Sequence, residues 1–195
     1  MTTQVADAVL GKIARQYNDL FRRVREGTLE PEGVSNGLQA LIEGKFAAEA
    51  KPTIEIRIPA LSRIAKSEIC SRYGFKSVER DNSPTEEVIM VLESVLRDDE
   101  NSISWREYES RLRTVSGQLG LSQALWVVEH QDVLPAEFMA LLGKVYIDFP
   151  ATIAVCSDGY RSVPFLNQNG SRWYLNWHWL DNGFSSDGRV ARSRK

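Results

Sequence analysis

Apolar residues Val5, Val9, Leu10, Ile13, Tyr17, Leu20, Phe21 and Val24 recur mostly at spacings of three and four. That is one stripe of an amphipathic helix expected from Thr3 to Glu26, with Gly27 as its stop. Pro31 suits a first helical position, and Val34, Leu38, Leu41 and Ile42 extend a second, shorter helix to Gly44, so a helical hairpin is expected. The pattern then changes to period two, because Thr53 to Pro59 alternates Ile54, Ile56 and Ile58 with polar residues, as in a half-buried strand ended by proline.

Helical spacing returns with Leu61, Ile64, Ala65 and Ile69, and the accompanying Arg63, Lys66 and Arg72 read as a solvated face. Ser83, Pro84, Glu86 and Glu87 carry the signals of a helix start, and the apolar run Val88, Ile89, Val91, Leu92, Val95, Leu96 follows, so a helix is expected from Pro84 to Leu96. Ser104 with Glu107 matches a capping box ahead of Trp105, Tyr108 and Leu112. Leu121 to Val128 and Pro135 to Leu142, closed by Gly143, predict two further helices, with His130 between them as a loop or cap residue.

From Val145 onward the grammar is that of short strands and tight turns. Val145 to Pro150 and Ala151 to Val155 are β-rich, and the turn signals at Gly159, Gly170, Gly183 and Gly188 recur at short intervals. Along Trp173 to Leu180, period two sends Trp173, Leu175, Trp177 and Trp179 to an expected core face and Tyr174, Asn176, His178 and Leu180 to an expected display face. The fold class is therefore α+β, with a mainly helical body over 1–143 holding one short strand and a compact β-rich region over 144–195 that shares its core.

Composition narrows the chemistry. The 195 residues, 43% of them apolar, suffice for a packed core, so disorder is not expected. Residues 151–195 carry a formal +3 within a chain of −2, too weak a basic bias to predict nucleic acid. Cys70 and Cys156 have no Cys or His companion, so buried free thiols are expected rather than a disulfide or zinc site. Asp7, Lys12 and Arg15 interrupt the N-terminal apolar pattern and no run approaches a membrane span, so a cytoplasmic protein with no membrane partner is expected. Phosphate-binding glycine loops, HExxH and GxSxG are absent from the sequence, and Cys156 lacks an identifiable base. No cofactor, no metal and no enzymatic activity are expected. Asp98, Asp99 and Glu100 read as a solvated linker, since they lack the alternation and central glycine of a calcium loop.

The stretch from Asp158 to Lys195 mixes a regular frame with interleaved polar and aromatic residues. Asp158, Gly159, Arg161, Val163, Pro164, Leu166, Gly170, Ser171, Leu175, Trp179, Asp181, Arg189, Arg194 and Lys195 are the positions that carry a family resemblance, matching its expected constant frame. In this it resembles the C-terminal part of the variable proteins of diversity-generating retroelements, which have a C-type-lectin-like fold and exchange residues at scattered adenine-rich codons. The resemblance covers about 40 residues, with the LPAEFMALL and FPATIAV segments as a further extension. It implies a binding surface at Tyr160, Ser162, Phe165, Gln168, Asn169, Tyr174, Asn176, His178, Asn182, Ser185, Ser186 and Asp187, with Gly183 among the interleaved positions. Two departures stand out. Gly188-Arg189-Val190 replaces the family's frequent Gly-Phe-Arg, and the Trp-Asn-Asp and Glu-Pro-Asn motifs of calcium-dependent lectins are missing, so calcium-dependent sugar binding is not expected.

The expected function is a ligand-binding display protein for an unknown macromolecular or glycan ligand. The alternative is a structural or regulatory protein-interaction domain without catalysis, its N-terminal helices serving self-association.

Overall fold

A computed structural model describes residues 7–42 and 54–194, which divide between two compact units on either side of 52/53. Residues 3–6, Gly44, Thr53 and Lys195, on which some sequence expectations fall, lie outside the described residues.

In the first unit, α1 (Asp7–Arg25) and α2 (Pro31–Ile42) are the two helices of the expected hairpin. Gly27 ends α1 with φ +68, a conformation that costs little without a Cβ, and Thr28 N donates back to the Arg23 carbonyl at 2.9 Å. The Glu30 carboxylate accepts from the backbone N–H groups of Glu32 (2.9 Å) and Gly33 (2.5 Å), capping α2 and holding this carboxyl below its usual range.

The second unit is built on one mixed eight-stranded sheet. Its strands are β1 (Ile56–Ile58), β2 (Ser77–Asp81), β3 (Val88–Glu93), β5 (Tyr146–Asp148), β6 (Thr152–Val155), β7 (Arg161–Asn169), β8 (Arg172–Trp179) and β10 (Gly188–Ser193). A separate pair joins β4 (Ser102–Ile103) to β9 (Phe184–Ser185). The main order is β1-β3-β10-β5-β7-β6-β2, with β8 along the other edge of β7; β10 and β5 are parallel and the remaining pairs antiparallel. The turn joining β7 to β8 has Gly170 at φ +62 and no positive φ at Ser171, the residue requirement of a II′ hairpin.

Strand alternation assigns the two faces of the sheet. Ile147, Leu166, Trp173, Leu175, Met90 and Ala191 pack toward Ala124 and Val127 of α5 (Leu121–Glu129) and Phe138 of α6 (Ala136–Met139). Nearby, Trp177 meets Ile69 and Tyr73 of α3 (Lys66–Tyr73). On the opposite face, Ile153, Val163 and Val190 pack with Tyr108 and Leu112 of α4 (Trp105–Leu112), with Leu180 of the 3-10 turn Leu180–Asn182, and with Phe184.

Two sequence expectations give way. Residues 84–96 hold β3 rather than a helix: Ser83, read as a helix cap, is fully buried and donates its hydroxyl to Asp81 Oδ1 at 2.5 Å. The β-branched apolar run behind it takes the place between β1 and β10, where Val88, Met90 and Val91 are buried. Nor is 1–143 a mainly helical body with one strand, because β1 to β4 all precede residue 143 and β1, β2 and β3 join the same sheet as the C-terminal strands. The Ser77–Asp81 strand went unread because Ser77-Val78-Glu79-Arg80-Asp81 offers a single apolar side chain. The helix opened by Ser104 does form, and Ser104 Oγ accepts from Glu107 N at 3.4 Å. Glu107 does not reciprocate; its carboxylate takes Arg111 Nε at 2.7 Å, and Glu100, also on Arg111, falls to about 2. His130 is the C-cap of α5, its ring stacked on Trp126, and both cysteines are free and half-buried.

A polar knot fixes the start of α5. Thr152 Oγ1 donates to Asp81 Oδ1 at 3.0 Å and accepts from Leu121 N at 2.9 Å, while Gln123 Oε1 accepts from Gly120 N. A Cβ at Gly120 would stand 2.0 Å from Ser83 Oγ and 2.5 Å from Thr152 Oγ1, both buried. Gly120→Ala is therefore expected to lower stability by about 2 kcal/mol through overpacking. Urea denaturation measures it, and an unchanged midpoint would show that the knot can open without cost.

Candidate functional site

On the face of the sheet that carries α4, the strands beyond its cover leave a surface patch and a cavity. Register sets the patch: Phe165 is paired with Asn176, and Asn167 with Tyr174, so these side chains share a face, joined along β8 by His178 and at the hairpin by Asn169. Tyr174 and Asn176 are exposed, Tyr174 by 53%, whereas Trp173 on the reverse face is 1% exposed. Beside this patch lies a cavity of about 350 Å³ lined by Ser102, Tyr146, Phe165, His178, Asn182, Gly183, Phe184 and Ser185.

The cavity floor rests on a buried carboxylate. Asp148 is fully buried; its Oδ2 accepts from Tyr108 Oη at 2.6 Å, and its Oδ1 lies 3.3 Å from His178 Nδ1. Burial pulls the His178 pKa down, but the hydrogen bond and charge of Asp148 together outweigh it, so the imidazole titrates above its usual range. Burial, reinforced by the Asp148 charge, pushes the Tyr108 hydroxyl well above its ordinary value and keeps it a donor. Tyr146 stands edge-on to His178, Phe165 and Phe184, and its oxygen accepts from Ser185 N at 3.1 Å. Ser185 Oγ in turn donates to Asp187 Oδ1 at 2.5 Å, which shapes the turn holding Ser186 and Asp187 at the surface.

Nine of the twelve sequence-chosen residues thus fall on this face or on its rim: Phe165, Asn169, Tyr174, Asn176, His178, Asn182, Ser185, Ser186 and Asp187. Three do not. Ser162 is fully buried on the reverse face, paired across the ladder with Trp179, and its hydroxyl has no partner among the described residues. Gln168 pairs with Trp173 on that reverse face and bonds the Gly170 carbonyl at 2.8 Å. Tyr160 is exposed but stacks on Trp179, 5.6 Å between ring centroids, away from the His178 face.

The alternation expected along Trp173–Leu180 holds through Trp177 and then fails. Trp179 stays on the reverse face opposite Ser162 but is 50% exposed, stacked on exposed Tyr160, and Leu180 is 3% exposed because β8 ends at Trp179 and the following 3-10 turn rotates Leu180 inward. His178 is half-buried rather than displayed, for it must reach Asp148. Sequence reasoning missed Tyr146, Asp148 and Tyr108. A lone carboxylate within the apolar run Val145-Tyr146-Ile147-Asp148-Phe149 was the available signal, since a buried charge needs partners.

No protein-family model, curated protein or solved structure matches this chain. Among the described residues no helix is long and apolar enough to cross a membrane, and no three His, Cys, Asp or Glu side chains are grouped to hold a metal ion.

Two measurements test that geometry. Tyr108→Phe removes a donor from a buried carboxylate and should cost about 2 kcal/mol in chemical denaturation. His178 has a raised folded pKa, so its pairing with Asp148 stabilises fully below about 6.5, the ordinary histidine value, and is lost as pH climbs through the raised one. The stability gap between wild type and His178→Gln should accordingly be wider near about pH 5.5 than near about pH 8.5. An equal gap at both would mean the imidazole is not paired to Asp148.

Proposed function

We propose that this chain is a ligand-binding display protein whose C-terminal region, a C-type-lectin-like frame in the manner of retroelement variable proteins, presents exchangeable side chains to a macromolecular or glycan ligand. The observation that carries the reading is the division of labour in β7 and β8. One face is packed through Leu166, Trp173, Leu175 and Trp177, while the other sets exposed Tyr174, Asn176 and Asn169 beside an aromatic cavity.

The chemistry of that face suits recognition. Phe165, Tyr174 and Tyr146 offer flat contact area, and Asn176, Asn182 and Ser185 offer adaptable donors and acceptors at small entropic cost. Frame residues from the resemblance are tied down separately. Arg161 bridges Glu79 (2.8 Å) and Glu109 (2.9 Å), joining β7 to β2 and α4, so the frame does not depend on what the patch residues are.

Exchange at the patch should be nearly free. Tyr174→Ala with Asn176→Ala is expected to change stability by about 0.5 kcal/mol or less per site, whereas Trp173→Ala should cost about 3–5 kcal/mol. Thermal melts of these variants make the comparison, and a collapse of the double variant would assign the patch to the core. Sequencing the 3′ ends of this gene in related genomes tests the display reading itself. Adenine-directed substitutions should gather at codons 165, 174, 176, 182 and 185 and spare codons 173, 175 and 177; an even spread would overturn it.

One observation favours the second reading, a protein-interaction domain: Ile13, Tyr17 and Phe21 form an exposed apolar stripe on α1, 54%, 50% and 45% exposed.

A further inference from the structure

A second cavity, about 730 Å³, shares no lining residue with the first. Arg63, Arg80, Asn82, Glu86, Arg113 and Arg194 are among the side chains of its polar walls. Four guanidinium groups against one carboxylate leave the lining formally at +3. In a chain of net charge −2, that positive charge is concentrated in a concave wall, where the field is focused.

The way these arginines are held distinguishes the cleft from an ordinary ion-pair network. Arg111 and Arg161 elsewhere in the unit each sit on two carboxylates. In the cleft, Arg63 Nε donates to the Ser83 carbonyl at 2.6 Å and Arg80 Nη2 to the Pro150 carbonyl at 2.7 Å. Neutral acceptors orient a guanidinium without cancelling its charge. Arg113 has no side-chain hydrogen bond among the described residues, and Arg80 Nε is buried without a partner among them. The ladder of β2 with β6 shifts register between Val78 and Arg80, an irregularity of the kind that re-aims a side chain. Arg194 alone is neutralised, by Glu55, while Glu109, which feels the charges of Arg113 and Arg80, is already held by Arg161.

We propose that this cleft is an anion site that takes a diphosphate-bearing small molecule. Planar guanidinium forks match phosphoryl oxygens in pairs. With Arg194 held by Glu55, Arg63, Arg80 and Arg113 against Glu86 leave +2, and one phosphate monoester of about −1.5 to −2 already matches that charge. The cavity volume is what assigns two phosphoryl groups, being far larger than a single phosphate requires. Glu86, with one oxygen occupied by Thr85 N at 3.1 Å, is the opposing charge in the lining and weakens the binding of an anion there.

Calorimetric titration of the full chain with inorganic pyrophosphate at about 0.15 M salt tests the assignment. Saturable one-to-one binding is expected, weakened about tenfold by Arg113→Ala. Glu86→Gln should tighten it about threefold. Both side chains are exposed, so melting should not move. Asn182→Ala, in the other cavity, should leave pyrophosphate binding unchanged. Absence of saturable heat, or wild-type affinity in Arg113→Glu, would overturn the site. Sodium citrate binding as tightly as pyrophosphate would overturn the phosphate assignment, and adenosine diphosphate binding as tightly as pyrophosphate or more so would support it.

Discussion

Asp148 is the constraint on which the His178 face of the sheet depends. A carboxylate with no solvent access must be met by donors, and among the described residues these come from different parts of the unit: Tyr108 on α4 and His178 on β8. Satisfying one charge therefore docks a helix onto the sheet and fixes the ring that floors the cavity. Tyr108 also stacks on Phe184 with centroids 4.6 Å apart, so the same side chain positions the loop that closes the cavity rim. The polar interaction decides where the apolar ones form, since Phe165, Tyr146 and Phe184 gather around an imidazole already held in place.

The division between frame and face was legible in the sequence wherever a strand keeps its period. Trp173, Leu175 and Trp177 pack and Tyr174 and Asn176 are exposed, because two-residue alternation is a geometric property of the strand itself. It stopped being legible after Trp177: Trp179 keeps its side of the ladder opposite Ser162 but lacks cover, and Leu180 lies beyond the strand, where the rule no longer applies. The resemblance groups Ser162, Gln168 and Tyr160 with this face, whereas register puts Ser162 and Gln168 on the reverse face and Tyr160 stacks on Trp179.

Other features escaped for reasons of reach. The helix expected over 84–96 rested on Ser83 and Pro84 as local start signals, but Ser83 is spent on a knot with Asp81 and Thr152, the latter 69 positions away. Local signals compete with tertiary partners that periodicity cannot see. The strand from Ser77 to Asp81 is likewise made by its partner β6 rather than by its own composition, and the arginine cleft is assembled from residues between 63 and 194. Helical hairpin, capping serine and closing glycines were readable because each depends on neighbours within a few positions.

Strand β8 lies at the rim of the sheet, pairing only with β7 among the described residues, and such a rim ordinarily invites another chain to add itself. Here part of the invitation is withdrawn from within. Gln131 takes both the N–H and the carbonyl of Trp173, at 2.7 and 2.9 Å, and Asn176 folds its own side chain onto Trp177 N at 2.8 Å. The first guard is buried and permanent, while the second is a patch residue of the kind that could be exchanged. Each exchange at position 176 would then alter more than what the face can grip: it would also set how open that rim is to strand addition, so that diversity at this site carries its own risk of self-assembly.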